Sequence, residues 1–151
     1  MLFFAIFMGY SNINFATTSS KTNVDFDTYK KIFTERLWKI YPEWASSVGY
    51  HKYDANLVVP NKTNRDKELF FAKEELTKLK KFSLDSISDL NKIDFHLIDN
   101  FLKNSIWQIT TQKAYEWNPS MYNVGEPFAY ILNENYAPLN KRVKNIYSKL
   151  K

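Results

Sequence analysis

The sequence contains no cysteine. This excludes a disulfide framework, a cysteine-ligated zinc, a thiol nucleophile and a lipid anchor on cysteine within these residues. It leaves the redox compartment open, because a chain of this size folds without staples. Glycine is limited to Gly9, Gly49 and Gly125. A phosphate-cradling loop or a dinucleotide fingerprint cannot be assembled from that set. With 5 prolines besides, collagen-like and low-complexity readings fall away. No HExxH occurs, so the two-histidine zinc site with its glutamate base is absent, and no GxSxG marks a nucleophile elbow. Arginine is also scarce, 3 against 18 lysines, which reads as compositional bias rather than chemistry. No apolar run approaches the ~20 residues of a membrane span.

What remains is 151 residues, 44% hydrophobic and 17% aromatic. That is one domain at most, able to bury roughly 68–70% of its unfolded surface. The net charge of +5 is local. Residues 1–134 carry 16 basic and 16 acidic side chains, and Lys141, Arg142, Lys144, Lys149 and Lys151 supply the excess. Such a tail is not the arginine-rich patch of a nucleic-acid interface, and no nucleic-acid partner is expected.

At the start, Leu2 to Met8 has the length of a short secretory core, followed by polar residues and Ala16 as a cleavage position. Residues 1–16 therefore read as a signal peptide and 17–151 as the folded region. Two features fit poorly: no basic residue precedes the run, and Asn14 sits two before Ala16. The other reading is a buried start of a strand or helix.

Beyond residue 24 the apolar period is helical. Phe26, Tyr29, Phe33, Leu37, Ile40, Trp44 and Val48 form one stripe, with Asp25 or Asp27 as cap. Pro42 predicts a kink or a restart with proline at the first position, and Gly49 a stop. Residues 50–62 read as loop. A second helix is expected over about 65–81, opened by Asn64 or Asp66. Leu69, Phe70, Ala72, Leu76 and Leu79 would face inward, and Glu74 and Glu75 would lie on a solvated face, pointing to different sides. A third is expected over about 92–116 with Ile98, Phe101, Leu102, Ile106 and Ile109 inward, stopped by Pro119. A fourth covers about 124–134. A fifth covers about 138–150, lined by Leu139, Val143, Ile146, Tyr147 and Leu150. There are no hairpin dipeptides and no long alternating runs. The expected class is all-α, roughly five helices in an irregular bundle. The last stripe runs to the final residue without a stop, so the helix reads as cut.

Candidate chemistry is sparse. His96 and Asp99 share a helix face and could begin a metal site, but further ligands must come from elsewhere. The plainer reading is a histidine beside a carboxylate. His51, in the loop segment GYHKYD, could pin the loop through Tyr53 and Asp54 or belong to a polar cleft cluster. Trp38, Trp44, Trp107 and Trp117 could line a sugar or peptide cleft or serve as core. Asn61-Lys62-Thr63 matches a glycosylation acceptor, which matters only in a eukaryotic secretory pathway.

The stretch from Arg36 to Leu57 resembles a bacterial family, the domain of unknown function 885 (DUF 885), whose members look like zinc metallopeptidases. The likeness rests on Pro42, Glu43, Trp44, Ala45, Gly49, His51, Tyr53 and Asp54. It resumes at Asp94 and continues through Asn118, Pro119, Tyr122 and the basic stretch around Arg142. The resemblance implies the N-terminal helical part of an exported chain several times longer, with an HExxH-type zinc site and its glutamate base much later. Pro42, Trp44, Gly49, His51, Tyr53, Asp54, Asp94, Asn118, Tyr122 and Arg142 would then be structural or cleft-lining, with no catalytic residue and no metal ligand among them. It implies no cofactor in this chain and zinc in the full-length protein. The partners it implies are the missing C-terminal catalytic part and a peptide substrate. The rival expectation is a non-catalytic exported helical module that binds a peptide, glycan or protein partner through its aromatics.

Overall fold

The computed structural model describes residues 21–151. The expected signal peptide lies outside the described residues. Among them there is no strand, and six α-helices follow one another: α1 (Lys21–Ile40), α2 (Pro42–Ser47), α3 (Lys62–Leu79), α4 (Asp89–Trp107), α5 (Glu126–Asn133) and α6 (Leu139–Lys149). The class is all-α, as expected, with one helix more because Pro42 divides the first.

Pro42 cannot donate to the carbonyl a turn back, so the chain leaves α1 through Tyr41 and restarts with proline at the head of α2. Gly49 takes a positive φ of 86°, and its N–H bonds Ser46 O at 3.0 Å. A left-handed residue there closes the helix without the Cβ clash that other residues meet. Short turns cover His51–Tyr53, Leu84–Ser86, Ala114–Glu116 and Pro119–Tyr122.

The core is built between α1, α3 and α4. Phe26, Tyr29, Phe33 and Leu37 come from one stripe of α1; Phe71, Ala72 and Leu79 come from α3, Leu102 from α4 and Ile87 from the turn before it. The ring of Phe26 meets Phe82 edge-on at 5.0 Å, and Phe33 stacks with Phe71 at 5.9 Å. Such offset and edge contacts suit the ring quadrupole.

Several expectations are corrected here. Asp25 and Asp27 do not cap α1; both lie inside it, and Asp27 pairs with Lys30 at 3.0 Å. Asn61, not Asn64 or Asp66, caps α3, accepting the Asn64 N–H at 2.9 Å, so α3 starts at Lys62. Ser88 does the same for α4, accepting from Asn91 at 3.3 Å. In each case a short polar side chain satisfies a first-turn donor earlier than the apolar period begins. The stripe of α1 does not carry into α2. The restart changes the helical phase, burying Pro42, Ala45 and Ser46 and leaving Trp44 and Val48 exposed. In α3 the inward phenylalanine is Phe71, 3% exposed, while Phe70 is 67% exposed. The third helix does not run unbroken to 116. It widens into a π turn over Gln108–Gln112 and ends on Lys113, whose φ is 50°.

The largest departure is α6. Four residues of its expected apolar stripe, Leu139, Val143, Tyr147 and Leu150, face outward, each at least 49% exposed, while Ile146 is half-buried. The buried residues are Arg142 and Lys149. This helix is anchored by its polar side.

Candidate functional site

Two of the motif positions between residues 42 and 54, His51 and Asp54, converge with Ser46 on one polar cluster. The short α2 delivers Ser46, and the turn after Gly49 delivers His51 and Asp54. Asp54 is 1% exposed and is the hub. Its carboxylate accepts from Ser46 Oγ at 2.6 Å, from His51 Nδ1 at 3.2 Å and from Asn145 Nδ2, on α6, at 3.5 Å. A buried carboxylate is tolerated because donors replace its lost water. The His51 ring lies flat on Tyr136, centroids 3.7 Å apart and planes 6° from parallel. Among the described residues the Tyr136 hydroxyl has no partner at hydrogen-bond geometry. Burial, and then the Asp54 carboxylate it faces, push it up to about 12.

Around the hub the same elements are tied down further. Tyr53 and Tyr50 donate to Glu35 of α1 at 2.5 and 2.7 Å, and Lys52 pairs with the same carboxylate. Those donors, Lys52 first, hold the Glu35 carboxyl at about 2. Arg142 donates to the carbonyls of Leu132 at 2.7 Å, Ile131 at 3.1 Å and Ala137 at 2.9 Å, and to Asn135 Oδ1 at 3.1 Å. It thus fills the orphan carbonyls at the end of α5. Lys149 donates to Asn56 O at 2.6 Å, and burial lowers its pKa. Trp44 meets Trp38 edge-on at 5.2 Å.

Ser, His and Asp side chains meet here without forming a nucleophilic triad. Ser46 Oγ donates to the aspartate rather than to His51, and Ser46 is buried. The base–nucleophile contact that such catalysis needs is missing. The cluster pins a loop to a helix.

The remaining motif positions lie apart. Asp94 accepts from Lys30 at 2.6 Å across α1 and α4. Asn118 caps the Pro119–Tyr122 turn, accepting from Ser120 N at 3.1 Å, and Tyr122 donates to Tyr115 O at 2.8 Å. Asp99 pairs with Lys103 at 2.5 Å, so His96 has no metal partner in it. Among the described residues no group of three or more His, Asp or Glu could hold a metal ion.

Asn118 and Tyr122 instead border a cleft of about 510 Å³, set between the end of α1, the first turns of α3 and the segment from the π turn to Tyr122. Its walls include Ile40, Val58, Pro60, Ile109, Trp117 and Met121. Within it, Tyr41 donates to Glu68 at 2.5 Å, and burial raises the Glu68 pKa. The Arg65 guanidinium lies 4.0 Å from the centre of the Tyr115 ring. Nothing in the linear order marks this site: Tyr41, Arg65, Glu68 and Tyr115 come from three separate segments with no recognisable spacing.

No family model matches the chain, and no curated protein matches it. A solved structure from Shewanella oneidensis, described as "a putative lipoprotein of unknown function", is similar at 40% identity with a TM-score of 0.80. The match covers 83% of this chain and 23% of that one, so the chain spans about a quarter of that protein's length.

Proposed function

We propose that this chain is the N-terminal helical part of a longer exported protein of the DUF 885 kind, where it builds a non-catalytic wall beside a catalytic region supplied by later residues. The observation that carries this reading is α6. A helix that spends Arg142, Asn145 and Lys149 on its anchorage and turns Leu139, Val143, Tyr147 and Leu150 outward is built to be covered. On α4, Leu90, Ile93 and Leu97 form a second exposed row at helical spacing. The 40%-identical structure, matched over 23% of its length, supports the remainder of a longer polypeptide as the cover. That protein's description as a lipoprotein supports export. Zinc-dependent peptide hydrolysis belongs to the full-length protein in this reading, with the zinc ligands and general base outside these residues.

Sequencing the gene past codon 151 tests the first half. An open frame encoding an HExxH motif is expected, and a stop codon there would end the proposal. Hydroxyl-radical footprinting then tests the cover: Leu139 and Tyr147 should be labelled in this chain alone and protected in the longer protein. Peptide cleavage by this chain alone would count against the division of labour.

A second reading, a non-catalytic exported binding module, is favoured by one observation: the cleft of about 510 Å³ beside Arg65, whose guanidinium no acid among the described residues engages.

A further inference from the structure

The cleft holds an asymmetry of charge. Its acids are engaged: Glu43 accepts the Val58 N–H at 3.1 Å, and Glu68 accepts the Tyr41 hydroxyl at 2.5 Å. Its bases are not. Among the described residues, neither Lys39 nor Arg65 has a carboxylate within ion-pair distance, and the Arg65 guanidinium has no hydrogen-bond acceptor at all. A half-buried arginine normally finds acceptors for its donor fork. Here the guanidinium carbon sits over the Tyr115 ring, 4.0 Å from its centre, a cation–π contact that leaves its N–H donors unfilled. Tyr115 is itself set in place, donating to Ile109 O at 3.4 Å and accepting from Tyr122 at its own carbonyl. The backbone beneath is unusual. The π turn over Gln108–Gln112 and left-handed Lys113 shape this side of the cleft, and such distortions concentrate at functional sites. The cleft exposes more apolar than polar surface, with Ile40, Ile109 and Trp117 among its apolar walls, and the volume of about 510 Å³ lies in the range of small-molecule sites.

We propose that this cleft binds an organic monocarboxylate with an apolar body, the carboxylate forked by Arg65 over Tyr115 and the body lying against Ile40, Ile109 and Trp117. A planar fork matches a carboxylate in two parallel N–H···O bonds, which a lysine ammonium cannot supply. The apolar walls gain by covering the hydrophobic body. The chemistry is shared by two sources, the free C-terminus of a peptide and a medium-chain fatty acid. The inference stands on the cleft alone and does not depend on what covers α6.

Titration calorimetry on the 151-residue chain with N-acetylphenylalanine and with decanoate tests it. Saturable one-to-one binding of at least one of them is expected. Preference for the first points to a peptide end, preference for the second to a fatty acid, and either result supports the shared chemistry. The Arg65→Met variant should lose about tenfold or more in affinity, and Arg65→Lys should recover only part. N-acetylphenylalanine amide should bind correspondingly worse than the acid. The proposal fails if neither acid binds up to about 10 mM, if the amide binds as well as the acid, or if Arg65→Met binds unchanged while its circular dichroism and melting match the parent.

Discussion

Glu75 is a carboxylate at 1% exposure between Phe71 and Leu79, kept there by Arg36 and by Lys78 at 3.0 Å. Arg36 also grips Glu74 at 2.5 Å, so two acids expected to point apart converge on one guanidinium. Replacing Arg36 with Met leaves Glu75 with a single, weaker partner and should cost about 2–3 kcal/mol in urea unfolding. Adding Glu75→Leu should return most of that loss, because a buried pair exchanged for apolar side chains is often close to neutral. A neutral Arg36→Met would refute this account of α3. Glu35 and Glu74 are the carboxyls pulled furthest down by their partners. Their partners, Lys52 first for one and Arg36 first for the other, hold both carboxyls at about 2. An unfolded carboxyl titrates near pH ~4.3. Their support is therefore whole above that pH and is lost as pH falls toward about 2. Melting points recorded from neutral pH downward should drop through this window, less steeply in Glu35→Gln and less steeply in high salt, since both side chains keep about a third of their surface in water. At this scale the composition hid a signal. In a chain with 18 lysines, each of the 3 arginines stands where a planar fork is used: Arg36 across two acids, Arg65 on a ring, Arg142 on carbonyls. Scarcity alone could have singled them out.

The helices were largely legible, and the reason is visible in α1. Phe26, Tyr29, Phe33 and Leu37 repeat at the helical period, and all four are buried as that period demands. Pro42 and Gly49 punctuate through local backbone chemistry that needs no tertiary information. What could not be read was the side on which a helix is anchored. The stripe of α6 says that apolar side chains share a face; it does not say whether this chain covers them. Nor could spacing show that Asn145 reaches Asp54, or that Arg65 stacks on Tyr115, because those contacts are set by packing across long separations. Arg142→Ala removes donors from the carbonyls of Ile131, Leu132 and Ala137. Hydrogen exchange over α5 and α6 should then speed by roughly 10–100-fold, with α1, α3 and α4 keeping their protection. Equal loosening everywhere would mean that the arginine serves the whole fold. Lys113, at φ 50°, is a place where glycine is better suited. Lys113→Gly should raise the unfolding free energy in urea by roughly 0.5–1 kcal/mol; an unchanged or lower value would show that the left-handed lysine carries no strain.

Taken whole, the molecule is an apolar core between α1, α3 and α4, joined through a polar hub at Asp54 to a helix that faces away from that core. Alone in solution, this chain has to hide Leu139, Val143, Tyr147 and Leu150 some other way. Sedimentation should show mass rising with concentration, and Val143→Lys with Tyr147→Lys should return it to a monomer without lowering the melting point. A monomer at every concentration would argue that the exposed face is harmless. The manner of anchorage has one further result. Because hydrogen bonds to fixed acceptors hold α6 from behind, its four outward side chains stand in register on a preformed rod, ready for the cover proposed above. Little freedom is left to lose on contact. Engagement should therefore proceed without a slow folding step, and its strength should show as long residence rather than as rapid capture.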